Sequence, residues 1–129
     1  MRTISLTCAL VLGLFASLTA SAPAQAKLSD MDKKELAMLA GLEKKHVAAE
    51  AAYKKKPSDA KLKKAHIDAA TKLADAVLIS PALAPKDKYP KSLRLYRGVK
   101  KVDAKNVHAK KQIELIEGIY RSMGRPIPK

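Results

Sequence analysis

The apolar residues between Leu62 and Val77 recur at the spacing of an α-helix, and this pattern constrains the fold more than any other feature of the sequence. They follow one another at steps of three, four, four, three and one residues, which places them on one side of a helix. The positions are Leu62, Ala65, Ala69, Leu73, Ala76 and Val77. A strand would need strict alternation instead, and that alternation occurs nowhere in the chain.

Helix signals also mark the two ends of this segment. Ser58 or Asp59 can act as the N-cap, because either side chain accepts hydrogen bonds from amides in the first turn. Pro81 disfavours helical geometry at the residue before it. We therefore predict a helix over residues 58–80.

A longer helix is predicted ahead of it, over residues 27–56. Ser29 can cap this helix, and Asp32 follows three residues later as in a capping box. Pro57 ends the segment after three consecutive lysines. The apolar stripe consists of Leu36, Leu39, Ala40, Val47 and Ala51.

The prolines that follow predict a short, stiff connector over residues 81–89. Pro90 then suits the first turn of a third helix, where a missing amide hydrogen costs little. Gly98 lies in the middle of that helix, where we expect it to allow close approach of a neighbouring helix. The stripe of the third helix is Leu93, Leu95, Tyr96, Val99 and Val102.

A fourth helix begins after Asn106, a good N-cap residue, and continues to about Met123. Gly124 suits the C-terminal cap, and residues 125–129 form a tail whose two prolines prevent continuation. The stripe is Ile113, Ile116, Ile119, Tyr120 and Met123. The sequence thus predicts an all-α fold of about four antiparallel helices in a single domain, residues 27–129, with a helical pair over residues 90–124.

The N-terminal segment has the composition of a secretory signal peptide. Arg2 provides the positive charge, residues 4–20 the apolar core, and Ala24-Gln25-Ala26 the small residues before a cleavage site. We expect cleavage after residue 26 and therefore a periplasmic or extracellular protein.

Two other roles for this segment are weaker. An uncleaved membrane anchor needs about 20 mostly apolar residues, whereas residues 4–20 are fewer and include serine and threonine. A lipoprotein signal would place its cysteine after the apolar core, but Cys8 precedes most of it. Cleavage would remove this cysteine, the only one in the chain.

The chain is strongly basic, with a formal net charge of +14. Such an excess attracts polyanions, anionic lipid headgroups and acidic protein surfaces. The lysines are spread around the helices, which is typical of a solvated surface. Because tryptophan is absent and Phe15 lies in the signal peptide, few rings remain for stacking on bases, so no specific binding of nucleic acid is expected.

Residues 89–106 resemble the second helix and exit turn of a tetratricopeptide-type helical repeat. Ser92 stands where the family has a small residue, Tyr96 where it has an aromatic residue and Val99 where it has alanine. Further along, Ile116, Tyr120 and Gly124 are similar to the leucine, tyrosine and glycine spacing of a repeat's first helix.

The resemblance covers about the last third of the chain and implies helical hairpins with a concave surface that binds peptides. Ala104 stands where the family usually has proline, and the following helix is about three residues out of the 34-residue frame. The resemblance is therefore to a degenerate repeat.

The sequence contains no motif that is typical of a catalytic or phosphate-binding site. It contains no nucleophile elbow and no glycine-rich phosphate loop. His46, His66 and His108 are expected at surface or half-buried positions and not as metal ligands. We therefore predict a protein that is not an enzyme, with no catalytic residues, cofactor or metal.

The arginines of the C-terminal half are the strongest candidates for binding. Arg94 and Arg97 are three residues apart, and Arg121 and Arg125 are four apart, so each pair shares a helix side. Guanidinium groups bind carboxylates or phosphates through two hydrogen bonds. Together with Tyr96 and Tyr120, these arginines are the predicted partner-binding residues; the alternative is surface ion pairs, with the arginine stems lying over the two tyrosine rings.

Two functions follow as hypotheses. The first is an exported helical scaffold that binds a protein or an acidic peptide through the repeat-like half. The second is electrostatic association with an anionic envelope polymer, a lipid surface or extracellular nucleic acid, which would weaken steeply with salt.

Overall fold

The computed structural model describes residues 29–129, which form four α-helices. Helix α1 spans Asp30–Lys55, α2 spans Ala60–Ile79, α3 spans Pro85–Val102 and α4 spans Val107–Ser122. The predicted all-α class is confirmed, and the short connections make neighbouring helices antiparallel. The signal peptide predicted over residues 1–26 lies outside the described residues.

Side-chain caps explain where α1, α2 and α4 begin. At α1 the Ser29 hydroxyl accepts from the Asp32 amide at 3.1 Å, and the Asp32 carboxylate accepts from the Ser29 amide at 3.2 Å. Asp59 caps α2 by accepting from two amides, at 2.9 and 3.0 Å. Asn106 caps α4 by accepting from the Ala109 amide at 2.9 Å. Each cap satisfies amides that have no partner within the helix.

Helix α4 ends at the glycine predicted to cap it. Gly124 has a φ of 62°, in the left-handed region that L side chains disfavour. The Gly124 amide donates to the Arg121 carbonyl and the Arg125 amide donates to the Tyr120 carbonyl, both at 3.0 Å. These two bonds form a Schellman motif and reverse the chain direction after the helix.

Helix α3 begins five residues earlier than predicted, so the connector over residues 81–89 is shorter than expected. Pro85 is the first helical residue, where its missing amide hydrogen costs nothing, and the Ala84 carbonyl accepts from the amides of Asp87 and Lys88. Pro90 therefore lies inside the helix and not at its start.

Each helix packs mainly against its neighbour in the sequence, in the order α1–α2, α2–α3 and α3–α4. The larger core cluster joins α2, α3 and α4 through nine buried residues. They are Ala70, Ala74, Leu93, Tyr96, Val99, Ala109, Ile113, Ile116 and Tyr120. This sequential packing of hairpins is compatible with the packing of helical repeats.

A smaller core cluster attaches α1 to the rest of the fold. Leu39 is the buried residue of α1, and it packs with Leu73 and Val77 of α2. Leu95 of α3 is partly buried against both clusters and so connects them. None of the four helices is apolar over a length sufficient to cross a bilayer.

Candidate functional site

An open groove of about 570 Å³ runs along α2, with one wall from α1 and the other from α3. His46, Glu50, Tyr53 and Lys54 contribute the α1 wall. The floor comes from α2, and the α3 wall carries the cationic residues Arg94, Arg97 and Lys101. Its volume is that of a typical ligand site. We call this feature the groove below.

The cations of the groove differ in whether they already have a partner. Arg97 donates from Nη2 to Glu117 at 3.0 Å and from Nη1 to the carbonyl of Pro128 at 2.6 Å. Within residues 29–129, Arg94 and Lys101 form no ion pair, and both side chains are exposed. Arg97 is therefore held in place, whereas Arg94 and Lys101 are available to a ligand.

Among residues 29–129, Glu50 is the one acidic side chain in the lining of the groove, and a neighbouring lysine neutralises it. Lys54 Nζ lies 2.8 Å from Glu50 Oε1, one turn away on α1. The hydrogen bond from Lys54 lowers the pKa of Glu50, although partial burial opposes the shift. The Glu50 carboxylate therefore remains ionised and paired, and the groove stays net positive.

Three rings are stacked between α1 and α2. The His66 ring lies between His46, at a centroid distance of 5.6 Å, and Tyr53, at 5.3 Å. The stack gives the groove a flat, amphipathic surface opposite its cationic wall.

The central ring of this stack titrates abnormally. His66 is 7% exposed, and its burial lowers its pKa below the ordinary value, assisted by the neighbouring charge of His46. Nδ1 of His46 and Nδ1 of His66 are both buried without a hydrogen-bond partner in the described part of the chain. His66 is thus neutral near pH 7. It is also more buried than the surface or half-buried position predicted for it.

The stacked rings of His46, His66 and Tyr53 were not predicted as a site from the sequence, although part of the pattern is visible there. His46, Glu50 and Tyr53 follow one another at steps of four and three, which places them on one face of α1. Nothing in the sequence connects this face to His66. Over residues 29–129, no group of three histidine, cysteine or acidic side chains is arranged to hold a metal ion.

The structure separates the four predicted arginines. Arg94 and Arg97 line the groove, whereas Arg121 and Arg125 do not. Arg121 Nη1 lies 3.6 Å from Glu117 Oε2, so Glu117 is shared between Arg121 of α4 and Arg97 of α3. The four arginines therefore do not line one groove, and their role in binding a partner stays a prediction.

The two predicted tyrosines are part of the core. Tyr96 is 0% and Tyr120 8% exposed, and both belong to the larger core cluster. The two rings are covered because the apolar stripes of α3 and α4 face each other, and their role in binding a partner stays a prediction. Gly98 also differs from expectation: it borders the groove, and a Cβ there would meet nothing within 4 Å.

The Tyr96 hydroxyl belongs to a polar cluster on the far side of α3. It donates to Oδ1 of Asp75, and Nε2 of His108 lies 2.7 Å from the same oxygen. Burial raises the pKa of Tyr96 well above its ordinary value, with a further contribution from Asp75. The tyrosine therefore stays protonated and serves as a hydrogen-bond donor within the fold.

Comparison with known proteins matches the chain to no protein-family model, no curated protein and no solved structure.

Proposed function

We propose that this protein is an exported helical scaffold that binds an acidic peptide segment of a protein partner in the groove. The observation that carries the proposal is the presence of Arg94 and Lys101 on one groove wall, exposed and without ion-pair partners among residues 29–129. A carboxylate bound at this wall gains charge-assisted hydrogen bonds from the two cations. The partner is therefore negatively charged where it contacts α3.

The shape of the fold supports a peptide as the ligand. Helices α1 and α3 flank α2 and leave a concave surface. Tetratricopeptide-type repeats, which the C-terminal third of the chain resembles, bind peptides on a surface of this kind. The stacked rings opposite the cationic wall supply apolar area for the peptide backbone and for side chains between the acids. The signal-like composition of residues 1–26 supports a location outside the cytoplasm as part of this proposal.

Binding of a fluorescein-labelled hexaglutamate peptide, measured by fluorescence anisotropy, tests the proposal. Lys101→Glu should weaken binding about tenfold, because one exposed ion pair is lost and a repulsion of similar size replaces it. Lys100→Glu is the matched control: Lys100 is the adjacent exposed lysine on α3, lies outside the groove lining and changes the net charge equally. Equal weakening by both variants would overturn the proposal.

A second candidate function is supported by the distribution of lysines over all four helices. Exposed pairs occur at Lys33-Lys34, Lys44-Lys45, Lys63-Lys64, Lys100-Lys101 and Lys110-Lys111. They favour association with an anionic envelope polymer, a lipid surface or extracellular nucleic acid through charge alone. Sedimentation with phosphatidylglycerol vesicles measures this function. It predicts equal effects of Lys100→Glu and Lys101→Glu and a steep loss of binding with salt.

A further inference from the structure

The C-terminal half of α1, residues 46–55, forms one wall of the groove but has little attachment to the rest of the fold. None of its residues is fully buried, and neither core cluster includes any of them. Its ion pair, between Lys54 and Glu50, lies within α1 itself. The stacked rings, with His66 between His46 and Tyr53, are therefore the specific contact between this half and α2.

The N-terminal half of α1 is attached by contacts of another kind. Three leucines join it to the smaller core cluster: Leu36, Leu39 and Leu42. An ion pair joins it to α3, where Lys91 Nζ lies 3.1 Å from each carboxylate oxygen of Glu43. None of these contacts involves histidine, the side chain whose ordinary pKa lies closest to neutral pH. Mild acidification therefore acts on the C-terminal half of α1 and not on the N-terminal half.

The closed ring stack has no place for a proton on His66. The ring is 7% exposed, and its Nδ1 has no hydrogen-bond partner within residues 29–129. A neutral imidazole can leave Nδ1 without a hydrogen, whereas the charged form carries N–H groups on both nitrogens. Protonation would thus bury a charge and a donor without an acceptor. The ring reaches water for both only when the stack separates.

The charges that line the groove beside His66 do not compensate for such a proton. They come from α1, from α3 and from the tail, and they are Glu50, Lys54, Arg94, Arg97, Lys101 and Lys129. Five of the six are cations, and the carboxylate is already paired with a lysine. Burial is the largest cause of the lowered pKa of His66, the charge of His46 adds to it, and Glu50 opposes both. Every element packed around the ring except this one carboxylate therefore resists its protonation.

We propose that acidification opens the groove, because protonation of His66 releases the C-terminal half of α1 from α2 and a ligand bound between the walls then dissociates. Ligand release rests on the proposed function, whereas the opening of α1 does not. In the open form the ring is in water, with the ordinary histidine pKa of about 6.5. The closed form, in which this pKa is lower, is favoured above that pH and loses its advantage as the pH falls.

Distances between spin labels, measured by double electron–electron resonance in a Cys8→Ser background, test the opening. Labels at Lys55→Cys and Lys100→Cys report the separation of α1 and α3 at the end that should open. Labels at Lys34→Cys and Lys86→Cys report it at the other end; all four are exposed lysines outside the groove lining. Between about pH 7.5 and about pH 5.5 the first distance should lengthen, and the second should stay unchanged.

Matched variants assign the change to one histidine. His66→Phe keeps a ring in the stack and removes the titration, so the first distance should no longer respond to pH. His66→Gln, a second variant that does not titrate, should behave in the same way. His108→Gln is the control, because His108 lies 2.7 Å from Asp75, outside the groove lining, and this variant should open as the wild-type protein does.

Binding of rhodamine-labelled hexaglutamate at the same two pH values tests ligand release. The affinity should fall by the reciprocal of the closed fraction, so that one closed molecule in five gives about fivefold weaker binding. The peptide also titrates in this range, but it does so equally for every variant. The loss of affinity in the wild-type protein should therefore exceed the loss in His66→Phe by this factor.

The outcomes separate this proposal from the function on which ligand release rests. An unchanged first distance, an equal lengthening of both distances, or the same opening in His66→Phe and His66→Gln would overturn the proposal. Opening with equal losses of affinity in the wild-type protein and in His66→Phe would overturn ligand release alone. Failure of hexaglutamate to bind at about pH 7.5 would overturn the proposed function, while the distances would still decide whether α1 opens.

Discussion

At the scale of single residues, the neighbours of a charged side chain decide what it can bind. Glu117 and Arg121 are four residues apart on α4, a spacing that predicts their contact. Glu117 and Arg97 are twenty residues apart and meet only because α3 packs against α4. Arg94 and Arg97 look equivalent in the sequence, yet one is free for a ligand and the other holds the tail at Pro128.

The buried hydroxyl of Tyr96 should contribute measurably to stability. Tyr96→Phe removes its hydrogen bond to Asp75, and a bond to a carboxylate contributes about 1.5–3 kcal/mol after the exchange with water is counted. Urea denaturation should show a loss of this size. Tyr89→Phe is the matched control, because Tyr89 is half-buried and its hydroxyl has no hydrogen bond within residues 29–129, and it should change stability by under about 0.5 kcal/mol. Equal losses would contradict the assigned role.

The lowered pKa of His66 predicts a loss of stability on acidification. Below about pH 6.5 this histidine binds a proton in the unfolded chain, whereas its lower pKa keeps it neutral for longer in the folded protein. Unfolding therefore becomes more favourable as the pH falls. His66→Phe keeps a ring between His46 and Tyr53 and removes the titration. Urea midpoints between about pH 7 and about pH 5 should therefore fall less steeply in this variant. Parallel profiles for the two proteins would contradict the prediction.

At the scale of elements, the two prolines of α3 show why a helix boundary is hard to locate from sequence. Pro85 and Pro90 both have the φ angle required at a helix start, and the sequence pattern favours Pro90 because the apolar stripe begins just after it. The helix begins at Pro85, since the Ala84 carbonyl finds two amide donors there. The φ preference of proline allows both sites, and the hydrogen bonds of the Ala84 carbonyl distinguish them.

Replacing the two prolines should have unequal effects on stability. Pro90→Ala restores an amide that can donate to the Lys86 carbonyl one turn earlier and should stabilise the protein by about 1–3 kcal/mol. Pro85→Ala is the control, because at the first helical position the missing amide had no helical acceptor, and its effect should be close to zero. Thermal unfolding of the two variants measures the difference. An effect of Pro90→Ala as small as that of Pro85→Ala would mean that α3 starts at Pro90.

At the scale of the whole molecule, sequential packing makes stability uneven along the chain. Helix α1 has one buried residue, Leu39, whereas α2 has five and α3 and α4 have four each. The α1 wall of the groove therefore belongs to the helix with the fewest buried residues. Any ligand that contacts both walls should also hold α1 in place.

Hydrogen exchange followed by mass spectrometry should reveal this difference. Amides of α1 should exchange faster than those of α3, because opening α1 disrupts only the smaller core cluster. Leu39→Ala should accelerate exchange in α1 alone, whereas Ile116→Ala should accelerate it throughout α2, α3 and α4. Uniform exchange across the four helices would show that the chain opens as a single unit.

The sequence by itself determined the number of helices, the caps at Ser29 and Asn106 and the glycine that ends α4, and it limited the cap of α2 to Ser58 or Asp59. These features depend on residues within a few positions of one another, so local hydrogen bonds and apolar spacing suffice to predict them.

Only the tertiary structure decided the composition of the groove. Its walls combine His46 of α1, His66 of α2 and Lys101 of α3, and nothing in their local sequences connects them. The burial of Tyr96 and Tyr120 was decided in the same way, because a stripe of residues shows which face of a helix is apolar but not which helix will cover it. Packing between distant segments supplies that information, and it also decides that Arg94 and Lys101 line the groove.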